Sequence, residues 1–203
     1  MDVGRLRHRR RSGRRSDRLA GKPGNDIYGT EQQLRGSPCK AYDVEAIAAA
    51  HLDSIRTIGA VYYAPAIVSD WCARVKGDLY LSAMTRGEVF YIAVGELSDK
   101  REVLGFSSHR IYEREHRTAV YVRGNAARLG IGSALFRSAE AAAISAGATS
   151  IHVDASLAAV EFYEANGFDE VGRGEHRLWS GRSMACVFMR KRLVRPATRS
   201  ATE

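Results

Sequence analysis

The stretch from Thr118 to Gly147, TAVYVRGNAARLGIGSALFRSAEAAAISAG, decides how the rest of the chain is read. Residues 118–122 (TAVYV) have the β-branched and aromatic content of a strand. An alanine-rich helix over Gly130–Ala146 follows, closed by Gly147, the residue type that best takes the left-handed turn after a helix. Gly130 and Gly132 stand where that helix opens. The first N–H groups of a helix have no carbonyl partner and its dipole makes that end positive, so strand, glycine loop and helix together form an anion site. Glycine there leaves no Cβ to hold a phosphate away from the backbone. Two familiar phosphate binders are excluded. A Walker loop ends in Gly-Lys-Ser/Thr, whereas this chain reads Gly132-Ser133-Ala134; the third glycine and distant acid of a dinucleotide fingerprint are missing too. A tightly packed helix start explains the same glycines without any ligand.

Outward from this unit the periodicity gives the remaining elements. Asp43 is placed to cap a helix over 44–59, with Val44, Ile47, Ala48, His51, Ile55 and Ile58 at helical spacing. A second helix fits 64–76, with Pro65 in its first turn. Residues 89–95 and 103–112 read as strands joined by a polar turn, and 149–154 as another. Ser156 is placed to cap a short helix running through Glu164, which Asn166-Gly167 terminates. Residues 168–173 and 184–190 form a closing hairpin with its turn near Trp179–Arg182, and a first strand is expected near 33–40. The order α-α-β-β-β-α-β-α-β-β predicts a mixed α/β sheet with helices on both faces. No internal repeat is visible.

The 203 residues, 45% hydrophobic and 27% charged, suit one soluble domain with tails. No run approaches the roughly 18 to 20 apolar residues that span a bilayer, so no membrane role is expected. Cys39, Cys72 and Cys186 are odd in number and form no CxxC pair, which argues for reduced thiols, a cytoplasmic protein and no metal site. The net charge of +8 is unevenly spread: residues 1–24 carry +7, residues 190–203 carry +4, and the middle carries −3. The N-terminal run is too poor in apolar residues to repay the entropy of ordering and lacks the apolar core of a secretory signal. It reads as a disordered basic arm over 1–30, with a globular domain at 31–193 and a flexible tail at 194–203. Nucleic acid is a partner only through residues 1–24, by counterion release, and a plain solvated tail is the simpler reading.

A second signal lies about 30 residues after the glycine loop: VDASLAAVEFYEANGF (153–168), a strand, a short helix, a Phe162-Tyr163 pair and an Asn-Gly-Phe exit. With the glycine loop it resembles the GCN5-related N-acetyltransferase (GNAT) superfamily over roughly residues 40–192. That family's motif A is a strand, Q/R-x-x-G-x-G/A and a helix; its motif B ends in FYxxxGF-like residues. The resemblance implies a central, mostly antiparallel, splayed sheet flanked by helices and an activity transferring acetyl from acetyl-CoA directly to an amine. It implies that the backbone of Arg128, Leu129, Gly130, Ile131, Gly132 and Ser133 holds the coenzyme pyrophosphate, and that Val120, Tyr121 and Val122 pair with the pantetheine arm. Tyr163 matches the family's general acid, and a phenol of pKa near 10 suits a thiolate of pKa between about 8 and 10. Two departures stand out: Ala127 occupies the Q/R position, with Arg128 beside it, and Ser156 replaces the capping asparagine of motif B.

The base is unassigned. Glu113, Glu115, His116, His152, Asp154 and His176 are candidates, and Glu113–His116 reads equally well as a solvated turn. His51, Tyr62, Tyr63, Trp71 and Trp179 are polar-tipped aromatics that would line the acceptor side, although a Trp-bearing stripe is more often core. The acceptor, a small or protein amine, is unidentified, and a homodimer is left open. The alternative from another class is a non-catalytic acyl-CoA sensor whose arm binds nucleic acid.

Overall fold

A computed structural model describes residues 36–97 and 100–193. The basic arm at 1–30 and the tail at 194–203 lie outside the described residues. Within them a seven-stranded sheet is built from β1 (Ser37–Pro38), β2 (Val89–Leu97), β3 (Lys100–Tyr112), β4 (Glu115–Val122), β5 (Ser150–Ser156), β6 (Asp169–Arg177) and β7 (Ser183–Arg192). The strand order is β1-β2-β3-β4-β5-β7-β6, and every neighbouring pair is antiparallel except β4 and β5. The helices are α1 (Val44–Thr57), α2 (Pro65–Cys72), α3 (Gly77–Thr85), α4 (Ile131–Ser145) and α5 (Val160–Ala165).

The periods read from sequence recur as packing. On α1, Ile47, Ala48, His51 and Ile55 are buried against Phe90, Ile92 and Phe106 of the sheet. Each buried Ile or Phe side chain among these contributes roughly 1.5 to 3 kcal/mol. On the opposite face α4 sets Ile131 and Leu135 against Leu104 and Ala93, and Phe136 and Ala143 against Ile151 and Met189. The hydroxyl of the buried Ser107 ties β3 to α4 by donating to the Leu135 carbonyl at 2.7 Å. Gly147 (φ 86°) and Gly167 (φ 85°) close α4 and α5 in the left-handed region.

Four local expectations are corrected. The second helix ends at Cys72, and a further helix, α3, begins at Gly77 after an extended Lys76. Its Tyr80 and Ala83 face the α1 core at i, i+3 spacing. Asp43 does not cap α1; its carboxylate accepts the N–H of Lys40 at 2.8 Å. Ser156 makes no cap hydrogen bond either, and the Leu157 N–H instead donates to the Tyr63 hydroxyl at 2.7 Å. That hydroxyl donates in turn to the Ala185 carbonyl, also at 2.7 Å. Glu113 and Arg114 form the whole β3–β4 turn with φ of 48° and 68°, so Glu115 and His116 belong to β4.

Candidate active site

β4 and β5 run side by side but share a single registered pair, Arg117 with His152. Past that pair each strand continues without the other, so their facing edges keep backbone N–H and C=O groups with no sheet partner. A cleft of about 280 Å3 occupies the opening, with Val120 and Tyr121 on one bank and Val153 and Ala155 on the other. Gly105 of β3 lets β4 lie close: a Cβ there would sit 2.5 Å from the Tyr121 carbonyl oxygen.

The β4 backbone leads to the start of α4. Arg128 (φ 65°) and Gly130 (φ 78°) are both left-handed, which turns the chain sharply into the helix. The first N–H to find a helical carbonyl is that of Ala134, bonded to Gly130, so Ile131, Gly132 and Ser133 present free N–H groups at the positive end of a 15-residue helix. Nothing lies within 4 Å of a Cβ on Gly130, whereas a Cβ on Gly132 would meet the Phe162 ring at 2.9 Å. Gly130 therefore serves the turn. Gly132 leaves room for the Phe162 ring of α5. Arg128 is 86% exposed and reaches Glu161 of α5 at 3.7 Å.

Tyr163 lies on α5, 2% exposed, edge-on to Phe162 and Phe168, and lines the cleft beside Val120. Burial pushes its phenol far above the ordinary value, the nearby Tyr121 adds to this, and the Val120 backbone opposes it.

The other wall is made of side chains. His51 of α1 is 8% exposed, its Nδ1 lies 2.7 Å from the Tyr80 hydroxyl, and its ring lies 3.8 Å from that of Tyr121. Its Nε2 is buried with no partner, and burial lowers the imidazole pKa to about 3. His51, Tyr80 and Tyr121 all line the cleft. Toward the rim Arg117 pairs with Asp154 and lies 3.6 Å from Glu115. His176 Nδ1 is 4.0 Å from the second Asp154 oxygen.

Among the candidates for a base, only Asp154 and His176 line the cleft. Glu113 is in the hairpin turn, His116 stacks on His109 away from the cleft, and His152 and Glu115 sit at the closed end of the splay. Of the aromatics, His51 and Trp71 line the cleft. Tyr63 is buried beneath it, Tyr62 is exposed, and Trp179 is 74% exposed under the Arg74 guanidinium. Sequence reasoning missed Tyr80, Glu88, Ser108 and Arg110, which also line the cleft. The alternation of β3 was a usable signal for Ser108 and Arg110, because Phe106 shares their face. Among the described residues no cluster of His, Cys, Asp or Glu could hold a metal ion, and no helix is long and apolar enough to cross a membrane.

The fold has parallels among solved structures. Over 78% of this chain and 96% of its own, a GCN5-related N-acetyltransferase from Rhodopseudomonas palustris superposes with a TM-score of 0.66 at 23% identity. The PaiA N-acetyltransferase of Thermoplasma acidophilum, solved with coenzyme A, gives 0.59 at 16% identity over 76% and 96%. The acetyltransferase yncA of Salmonella typhimurium, solved with acetyl-CoA, gives 0.56 at 17% identity over 82% and 97%. At such identities these carry the fold alone. No curated protein matches the sequence significantly. The sequence profile of the acetyltransferase (GNAT) domain matches residues 81–185, a span that runs from α3 through the splay and α5 into β7. More than half of the chain falls in that span, and the chain belongs to the GNAT acetyltransferase family.

Proposed function

We propose that the protein transfers the acetyl group of acetyl-CoA directly to an amine held in the cleft. The observation that carries this reading is the opening between β4 and β5, which ends at the free N–H groups of α4. Unpaired strand edges suit the amide-bearing pantetheine arm, and Val120, Tyr121 and Val122 are the residues we assign to it. The stretch from Arg128 to Ser133 would receive the pyrophosphate. Neighbours of the same fold solved with coenzyme A or acetyl-CoA support the same assignment.

In the reaction the amine nitrogen attacks the thioester carbonyl carbon, a C–N bond forms, and the C–S bond breaks. The leaving thiolate is stabilised by a hydrogen bond from Tyr163. The nitrogen loses one proton; Asp154 is tied to Arg117, so Glu88, without an ion-pair partner among the described residues, is the freer carboxylate in the cleft to accept it. Holding both reactants in one cleft supplies the proximity term.

A thermal melt with acetyl-CoA, desulfo-CoA and ATP tests the reading. At about a hundred times the dissociation constant a ligand adds roughly 2.7 kcal/mol, which for a chain of this size is about 5 to 10 °C. A shift with both CoA compounds and none with ATP is expected. No shift with either CoA compound at any concentration would remove the coenzyme from this cleft.

A further inference from the structure

The cleft's side-chain wall has an unbalanced charge, which points to a feature of the acceptor. Three guanidiniums line it, Arg86, Arg110 and Arg117, against two carboxylates, Glu88 and Asp154. Arg110 and Arg117 stand directly opposite one another in the β3–β4 register. Like charges in that relation repel. Arg117 is compensated by Asp154 and Glu115, but the exposed Arg110 has no acidic partner among the described residues and lies 5.6 Å from the Tyr112 ring. Among the described residues the Arg86 guanidinium meets only the Ser82 hydroxyl.

Deeper in the cleft, hydrogen-bond counting assigns the His51 tautomer. If the Tyr80 hydroxyl donates to Nδ1, one group is left over, the Nε2–H. If Nδ1–H donates to the hydroxyl oxygen instead, both the tyrosine proton and the Nε2 lone pair are left over. The first arrangement leaves fewer groups unsatisfied. His51 thus keeps its N–H donor beneath the cleft surface, in a residue 8% exposed. The surplus guanidinium calls for oxygen, and a planar guanidinium matches a carboxylate in two parallel hydrogen bonds.

We propose that the acceptor is an amine that also carries a carboxylate, which Arg110 receives at the rim of the cleft. This rests on the cleft being the acceptor site of the acetyl transfer proposed above.

The test compares free amino acids and dipeptides with their C-terminal carboxamides as acceptors for the full-length protein, following release of the coenzyme thiol. Carboxamides have the less basic α-amine and so offer more of the neutral nucleophile, which without recognition would make them the faster substrates. The expected result is a preference of about tenfold or more in kcat/KM for the carboxylates. Arg110→Met should collapse it, with KM rising for the acids and hardly at all for the carboxamides. Preference among free amino acids or among dipeptides supports the proposal equally and separates a small acceptor from a peptide end. Carboxamides turned over as well as acids, or an acid preference unchanged in Arg110→Met, would overturn it. So would uncharged amines being the sole substrates while acetyl-CoA still raises the melting temperature. Loss of that thermal shift would overturn the coenzyme reading beneath it.

Discussion

The two walls of the cleft are made of different material. On the α4 side the groups available to a ligand are backbone: the edge of β4 past Arg117 and the free N–H groups of Ile131, Gly132 and Ser133. On the α1 side they are side chains gathered from α1, α3 and β3: His51, Tyr80 and Arg110. A backbone site depends on where the chain goes and tolerates many side chains. A side-chain site depends on particular residues and can change while the fold stays put. The first wall suits a ligand common to a family, and the second suits one that varies within it.

The contrast can be broken most directly at Tyr163, the side chain on the backbone-built wall. Tyr163→Phe should lower kcat by about 10²-fold or more, as expected for losing one donor to developing charge. If backbone holds the coenzyme, the KM for acetyl-CoA should stay within about threefold. A rise in that KM matching the fall in kcat would place Tyr163 in binding and blur the distinction.

The side-chain wall should reveal itself in stability. Burial holds the His51 imidazole near 3, against about 6.5 in the unfolded chain. Between those values the unfolded chain takes up a proton that the folded one refuses, so stability is full above about pH 6.5 and falls as the pH drops toward 3. His109, lowered by burial and by the charge of His116, adds to the same trend. The melting temperature followed from pH 7.5 to 4.5 should fall less steeply in His51→Phe than in the unaltered protein. Equal slopes would mean that His51 is not buried as described.

A smaller effect is expected at Tyr63, which joins the α1 side of the cleft to the far strands. Tyr63→Phe removes the hydrogen bonds to Leu157 and Ala185 and should cost about 1 to 3 kcal/mol, read from denaturant unfolding. The smallest belongs to the exposed Arg128–Glu161 pair. Glu161→Gln should tighten coenzyme binding by less than about threefold, and the gain should vanish in high salt.

The same division explains what could be read from the sequence. The glycine-opened helix and the Phe162–Tyr163 helix were legible because periodicity and turn residues report on backbone, whereas the splay came only with the family resemblance. The helix α3 was missed because Lys76-Gly77 gives no standard cap, and with it went Tyr80. Arg110 and Glu88 were missed because nothing local distinguishes a cleft-facing charge from a solvated one; only the β3–β4 register makes Arg110 the neighbour of Arg117. The two cap assignments failed for a similar reason. A side chain able to cap was present each time, but a partner distant in sequence, Tyr63, or a preceding turn at Lys40 made the bond.

The single registered pair between β4 and β5 has a mechanical consequence. β1–β4 and β5–β7 are two leaves with almost no main-chain stitching between them. The load passes instead through α4, whose Ile131 and Leu135 grip one leaf while Phe136 and Ala143 grip the other. A ligand threaded along both open edges would act as a second seam. Its signature would be slower amide exchange throughout β5 and β7, at residues that never touch it, as two leaves that had breathed separately come to open as one.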